Sequence, residues 1–183
     1  MKTKQLAIDA MLIAAYFVLS NYFAVNLGSI RLTLDVLPVI LGAALFGPLD
    51  GLIIGFAGNF LFQLAGPYGI SATTALWCLP DALRGLLAGL LLRGRLEDMS
   101  KGRIIFILVM ISIAATTLTT GVMYVDCLVF GYSFITYSPF ILWRYIAGAI
   151  VALLTALLLP ALVKPLGGIV GVKGDAANAD NGD

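Results

Sequence analysis

Long stretches without any charged side chain constrain the fold of this chain more than any other feature. Residues 10–30 form a run of 21 uncharged residues, and residues 51–80 form a run of 30. A helix needs about 20 apolar residues to cross the hydrocarbon core of a bilayer. The chain is 61% hydrophobic and only 11% charged, whereas soluble domains are about a quarter charged. We therefore predict an integral membrane protein.

The N-terminal residues MKTK and the apolar run that follows have the general pattern of a signal peptide. The run is longer than the apolar region of a typical signal peptide, and no small-x-small cleavage site closes it. We therefore interpret it as the first membrane helix, retained in the protein.

The pattern predicts an all-α bundle of six transmembrane helices in one domain, residues 1–166. Because residues 51–80 are too long for one span, the turn-forming residues 66–69 are expected to divide them into two helices. Gly47 and Pro48 indicate a tight turn after a short second helix. Residues 167–183, rich in Gly, Ala, Asn and Asp, are predicted to be a disordered tail. The predicted helices cover residues 6–27, 33–46, 49–65, 72–93, 103–125 and 140–163.

Basic residues occur mainly where six antiparallel helices would place them on one side of the membrane. They precede helix 1, separate helices 4 and 5, and follow helix 6: Lys2, Lys4, Arg93, Arg95, Lys101, Arg103, Lys164 and Lys173. The positive-inside rule makes this side cytoplasmic, so both termini are predicted to be cytoplasmic. The loops after helices 1, 3 and 5 then face outward, and we expect a site that opens outward.

Several classes of function lack support in the sequence. The net charge of +1 gives no reason to expect a nucleic-acid partner. With no His and only two Cys, both in apolar context, neither a metal site nor a disulfide framework is expected. No nucleophile–base pattern or phosphate-binding loop is present, so the chain is predicted not to be an enzyme and to carry no cofactor.

Charged residues beside or within membrane helices are candidates for function, because burying a charge in lipid is costly. Asp35 lies at the start of helix 2. Arg31 in the first outer loop and Arg144 at the outer start of helix 6 are candidates to bind an anionic ligand, since a guanidinium binds a carboxylate through two hydrogen bonds. The alternatives are a solvated loop position for Arg31 and an interfacial position for Arg144. Arg84 is expected to pair with Asp81, three residues earlier, or to extend toward the cytoplasm.

Polar and aromatic residues at the outer helix ends complete the predicted site. Asn59 and Gln63 are four residues apart and share one face of helix 3. Trp77 begins helix 4, and Tyr124 ends helix 5. Such aromatic residues are common at membrane interfaces, but together with Asp35 and the two amides they are suited to stack on a flat ring and to hydrogen-bond its edge.

Small residues recur on single helix faces, and in lipid such residues let helix backbones approach closely. The glycine and alanine patterns of helices 3, 4 and 6 are expected to pack inside the bundle. In helix 1, Ala7, Ala10 and Ala14 share one face. From these residues alone, that face either packs within the bundle or docks on a separate protein.

Six helices, a charged outer loop before a short second helix, the segment LPVILGAALFGPLDGLIIG and the small-residue face of helix 1 together resemble a known family. They resemble the substrate-binding S component of energy-coupling factor (ECF) transporters, the vitamin uptake systems of bacteria and archaea. The resemblance covers about residues 5–165. Residues 31–58 resemble the folate branch most.

The resemblance implies a protein of the prokaryotic cell membrane that captures a vitamin from outside. It also implies docking on a transmembrane coupling protein and two ATPase subunits. Ala10 and Ala14 match the docking motif of the family, with Ala7 on the same face. Arg31 matches a first-loop basic residue of folate-like members.

Folate is therefore the first expectation for the substrate, with Arg31 and Arg144 on its carboxylates. Trp77 or Tyr124 would stack on its ring, and Asp35 or Asn59 would bind the ring edge. The alternatives are another vitamin such as pantothenate, a structural subunit of a membrane complex, or a small enzyme acting on lipid head groups.

Overall fold

The computed structural model describes residues 3–27, 30–66, 69–96, 99–136 and 138–170. These residues form six helices and a two-stranded hairpin, and five of the helices are long and apolar enough to cross a membrane. The predicted six-helix bundle is confirmed. In chain order the elements are α1 Thr3–Tyr22, β1 Val25–Leu27, β2 Ile30–Leu32, α2 Val36–Phe46, α3 Pro48–Ala65, α4 Thr74–Leu92, α5 Lys101–Phe130, a 3-10 helix Phe134–Thr136, and α6 Ser138–Val170.

The hairpin between α1 and α2 corrects the predicted extent of the first helix. Helix 1 was expected to reach residue 27, but α1 ends at Tyr22 and Val25–Leu27 pairs with Ile30–Leu32 as antiparallel strands. The apolar run continues through this segment, so hydrophobicity alone does not mark the end of the helix. The β-branched Val25 and Ile30 on either side of Gly28 favour a strand locally.

The last two helices are longer than the apolar runs from which they were predicted. Helix α5 begins after Ser100, whose hydroxyl accepts a hydrogen bond from the backbone N–H of Arg103 at 3.4 Å. It ends at Phe130, and Gly131 follows with a φ of +74°. Helix α6 extends to Val170 and takes in the first residues of the predicted tail. Residues 171–183, the rest of that tail, lie outside the described residues.

The short helix α2 is the centre of the bundle. Ten of its 11 residues are buried, and it packs against α1, α3, α4 and α6. At 1.5 Å per residue it is about 16 Å long, roughly half the thickness of the hydrocarbon core. Because other helices surround it, α2 is shielded from lipid despite its length.

Glycines bring the backbones of α3 and α4 into direct contact. A methyl group at Gly85 would overlap the backbone of Gly51, and one at Gly55 would overlap the carbonyl of Asp81. In α6, a methyl group at Gly148 would lie 2.9 Å from the hydroxyl of Ser112 on α5. The predicted packing role of these small residues is confirmed.

Contacts between the helices define two ends of the bundle. At one end, called here the terminal end, Gln5 near the start of α1 donates a hydrogen bond to Asp50 in the first turn of α3 at 2.8 Å. Arg93, just after α4, lies against Gly47 between α2 and α3 at this same end. The opposite end, called here the cavity end, joins the end of α1 to the start of α2 through Ser20 and Asp35. The six helices therefore alternate in direction.

Candidate functional site

A cavity of about 1000 Å³ occupies the cavity end of the bundle. It lies between α2, α3, α4, α5 and α6, and its volume is at the upper end of the range for small-molecule sites. Five of the residues that the sequence singled out line this one cavity, although they come from four separate parts of the chain: Asp35, Asn59, Gln63, Trp77 and Arg144.

Two other predicted residues have different positions. Tyr124 is half exposed, packs edge-on against Phe134 with ring centroids 5.4 Å apart, and is not among the described residues that line the cavity. Arg31 lies in β2 opposite Asn26 of β1, and its side chain is outside the described part of the structure. Stacking by Tyr124 therefore has no support from its position.

Asp81 in α4 joins three helices at the wall of the cavity. One of its oxygens accepts hydrogen bonds from the hydroxyl of Tyr16 at 2.7 Å and from the amide of Asn59 at 2.6 Å. Its other oxygen forms an ion pair with Arg84 at 2.5 Å. The carboxylate is thus fixed by groups on α1, α3 and α4, and its charge is compensated inside the bundle.

The predicted pairing of Arg84 with Asp81 is confirmed. The position of Arg84 relative to the cavity was not predicted. Arg84 lines the cavity rather than lying apart from the site. Its Nε is buried and has no hydrogen-bond partner among the described residues. A buried N–H without a partner is costly, so the guanidinium group of Arg84 has donor capacity that its ion pair with Asp81 does not use.

Asp35 presents a second carboxyl group to the cavity at the start of α2. Its Oδ2 accepts a hydrogen bond from Ser20 of α1 at 2.8 Å. Burial raises the pKa of Asp35 above its ordinary value, the negative charge of Asp81 acts in the same direction, and hydrogen bonds from Thr33 and Ser20 act against both. A carboxyl group in this setting can accept or donate a hydrogen bond at the edge of a polar ring.

Asp126 fixes the indole ring of Trp77. The carboxylate accepts hydrogen bonds from the hydroxyl of Thr73 and from Nε1 of Trp77, the latter at 3.3 Å. These bonds join the start of α4 to the last turns of α5, 49 to 53 residues away along the chain. The ring is held at the cavity wall in a fixed orientation, which favours stacking on a flat ligand.

Arg144 contributes a guanidinium group that no carboxylate compensates within the described ranges. Its one described side-chain hydrogen bond is to the sulfur of Met123, at 3.2 Å. A thioether is a weak acceptor, so this contact leaves most of the hydrogen-bonding capacity of Arg144 unused. The cavity therefore contains a cation that suits an anionic group on a ligand.

The roles of Asp81 and Asp126 in the site could not be predicted from the sequence, because they depend on distant partners. The hydrogen-bond partners of Asp81 lie up to 65 residues away in the sequence, and those of Asp126 up to 53. The one local signal was the presence of Asp81 and Asp126 in apolar helices, where a charge is a candidate for function.

Together these side chains suit a polar ligand that carries both a flat ring and an anionic group. Within the described part of the chain, no three His, Cys, Asp or Glu residues come together as ligands for a metal ion. The wall offers instead an indole ring, two amides, three carboxyl groups and two guanidinium groups. That combination binds and orients a ligand by stacking and hydrogen bonding.

Helix α1 lies between this site and the outside of the bundle. Its inner face contains Tyr16 and Ser20, whose side chains are 2% and 1% exposed and which bond to Asp81 and Asp35. Its other face carries Ala7, Ala10 and Ala14, which are all exposed. The alanine face is therefore open to a partner, and its docking role stays a prediction.

Comparison with known proteins gives a family and a fold. The sequence model of the family "ECF-type riboflavin transporter, S component" matches residues 1–164. The structure is similar to that of FolT bound with folic acid, with a TM-score of 0.67 and 21% identity over 85% of this chain and 91% of that chain. It is also similar to the S component of a bacterial ECF transporter, with a TM-score of 0.66 and 23% identity over 91% of this chain and 99% of that one.

No curated protein matches the sequence. At 21% and 23% identity, the two similar structures show a shared fold.

Proposed function

Because the chain belongs to the family of ECF-type riboflavin transporter S components, we propose that it captures an anionic vitamin, folate first, in the cavity at the cavity end. An S component is the substrate-binding subunit of a transporter and not an enzyme. The membrane helices and the large polar cavity support this role. We further propose that the protein works in the cell membrane of a prokaryote, with the cavity end outward, as the distribution of basic residues indicates.

The uncompensated guanidinium of Arg144 is the observation that carries the choice of an anionic substrate. Folate has two carboxylates on its glutamate part and a flat pterin ring at the other end. Arg144 would bind a carboxylate, Trp77 would stack on the ring, and Asp35 or Asn59 would bind the ring edge. Arg31, in the first outer loop, would bind the second carboxylate. The likeness to the folate-bound FolT structure adds support for this choice.

Riboflavin is the second candidate, and the description of the matching family favours it. Its flat ring system would also stack on Trp77. It has no carboxylate, however, and would leave the charge of Arg144 without a partner in the cavity. Pantothenate is a third candidate because it has a carboxylate, but it lacks a ring for Trp77.

Calorimetric titration of the purified protein with folate, riboflavin, pantothenate, thiamine and biotin tests this proposal. We expect folate to bind one to one, and Arg144→Ala to weaken that binding at least tenfold, which corresponds to about 1.4 kcal/mol. Arg103→Ala is the matched control, because Arg103 is exposed near the start of α5, at the terminal end.

Each outcome of this titration selects one interpretation. If the protein binds riboflavin and Arg144→Ala does not weaken that binding, the substrate is riboflavin and not folate. Binding of none of the five vitamins by a folded protein would contradict the proposed function and favour a structural subunit of a membrane complex.

We also propose that the exposed face formed by Ala7, Ala10 and Ala14 docks on a transmembrane coupling protein that works with two ATPase subunits. The resemblance to S components suggests this partner, and the exposure of all three alanines supports it. Small residues on an exposed face let a helix of another membrane protein approach closely.

A further inference from the structure

A second, smaller cavity of about 320 Å³ opens between α5 and α6 at the terminal end of the bundle. We call it the α5–α6 groove. It shares no described lining residue with the larger cavity at the cavity end. One of its described lining residues is charged: Lys101, in the first turn of α5. The described lining residues are Lys101 and Ile105 of α5 and Ala156, Leu157, Pro160 and Ala161 of α6.

The proline in α6 and the small residues around it explain why this groove exists. Pro160 has no backbone N–H, so the carbonyl of Ala156 lacks its usual helical partner, and the proline ring pushes against that carbonyl. The methyl groups of Ala156 and Ala161 are too small to fill the space beside α5. The local sequence of α6 therefore produces an apolar groove that the fold leaves open.

The groove faces the region occupied by lipid. Leu157 on its wall is 61% exposed, and Phe106, next to Ile105 on α5, is 65% exposed. Both helices are long and apolar enough to cross a membrane. Large apolar side chains exposed on such helices contact acyl chains, so the groove opens directly toward the bilayer.

A positive charge, that of Lys101, lies at the polar end of the groove. Lys101 is exposed and lines the groove, and Arg93, Arg95 and Arg103 are exposed nearby in the sequence at the same end of the bundle. No described acidic side chain lines the groove. An apolar channel that ends at a lysine matches the two parts of an anionic lipid, an acyl chain and a phosphate group.

We propose that the α5–α6 groove binds an anionic phospholipid of the surrounding bilayer, with an acyl chain along Ala156 and Pro160 and the phosphate beside the ammonium group of Lys101. A zwitterionic lipid has the same acyl chains and phosphate, but its head group also carries a positive charge, which Lys101 repels. The groove is therefore selective for lipids with net negative charge. This lipid binding does not depend on a ligand in the larger cavity at the cavity end.

Native mass spectrometry of the purified full chain tests this proposal. The protein is held in detergent micelles with equal amounts of phosphatidylglycerol and phosphatidylcholine that have identical acyl chains. We expect one retained phosphatidylglycerol per protein, several-fold in excess over phosphatidylcholine. Lys101→Ala should lower that retention by about fivefold, since one basic residue near the surface has an effect of this size.

Two further variants distinguish lipid binding in the groove from general attraction of anionic lipids to the positive charge of the protein. Lys4→Ala removes an exposed lysine on α1, at the same end of the bundle, and should leave lipid retention unchanged. Ala161→Leu fills the groove from an exposed position of α6 and should lower the retention of both lipids. An unchanged thermal unfolding transition of Ala161→Leu in detergent verifies its fold.

Three results would overturn the proposal. The first is equal retention of the two lipids by the wild-type protein, or retention of neither. The second is an equal loss of phosphatidylglycerol retention in Lys4→Ala and Lys101→Ala, because the attraction would then come from the overall positive charge of this end and not from the groove. The third is unchanged retention of phosphatidylglycerol by a folded Ala161→Leu variant.

Discussion

At the scale of single residues, Asp81 organises the site because three helices supply its partners. Its carboxylate contacts Tyr16, Asn59 and Arg84 at 2.7, 2.6 and 2.5 Å. A charge inside a membrane bundle is tolerated when it is paired and hydrogen-bonded. Removing any one of these partners therefore changes both the stability of the bundle and the shape of the cavity wall.

Tyr16→Phe is expected to destabilise the protein by about 1.5–3 kcal/mol, the usual loss for a hydrogen bond to a charged group. The ring of Tyr16 packs against Gly58, and phenylalanine keeps that packing. The matched control is Tyr145→Phe, which removes a hydroxyl bonded to Thr117 at an exposed site. Thermal unfolding in detergent measures both. Equal losses in the two variants would contradict the role given to the Tyr16–Asp81 hydrogen bond.

Some residues of the site could be predicted from the sequence and others could not, for a physical reason. Asn59 and Gln63 were found because their spacing of four residues places them on one helix face. The importance of Asp81 depends on Tyr16, which lies 65 residues earlier in the sequence. A contact of that length follows from helix packing, which a single sequence does not specify.

At the scale of helices, the interface of α3 and α4 depends on glycines, which have no side chain to keep the backbones apart. Gly51, Gly55 and Gly85 let the two backbones touch. The sequence predicted this use of small residues in α3 and α4. It did not predict the end of α1, since the apolar run continues into the strand Val25–Leu27.

Gly85→Ala is expected to destabilise the protein by about 1–3 kcal/mol, the range for inserting atoms into a packed interior. The added methyl group would overlap the backbone of Gly51. The control is Gly121→Ala in α5, where a methyl group would meet open space and should stabilise the helix by up to about 1 kcal/mol. Thermal unfolding of the two variants measures the difference. A similar effect of both would show that α3 and α4 separate easily.

The alanine face of α1 gives a prediction about transport. Ala10→Trp or Ala14→Trp should leave vitamin affinity unchanged, since both residues are exposed and neither lines the cavity. Uptake by cells that express the complete transporter should fall to background, because the large ring prevents close approach of the partner helix. Phe106→Trp, at an exposed site of α5, is the control. Normal uptake by the α1 variants would place the docking surface elsewhere.

At the scale of the whole molecule, six alternating helices put the hairpin and the cavity at one end. The exposed basic residues Lys4, Arg93, Arg95, Lys101 and Arg103 lie at the other end. Hydrophobic stretches and turn residues predicted the number and order of the helices correctly. The alternation places the start of α4 beside the end of α5, so that Thr73 and Asp126 meet. The cavity is thus a consequence of topology together with a few polar residues. The sequence predicted the topology and several of the lining residues, but not the long-range hydrogen bonds that hold them in place.

The proposed function requires that an anionic vitamin bind in this cavity beside Trp77. The most direct measurement uses Trp143→Phe, which leaves Trp77 as the one tryptophan of the protein, and follows its fluorescence as folate is added. Free tryptophan at the same absorbance corrects for light absorbed by folate. We expect saturable quenching that reaches its limit at one folate per protein. Quenching no greater than that of free tryptophan, in a folded protein, would contradict it.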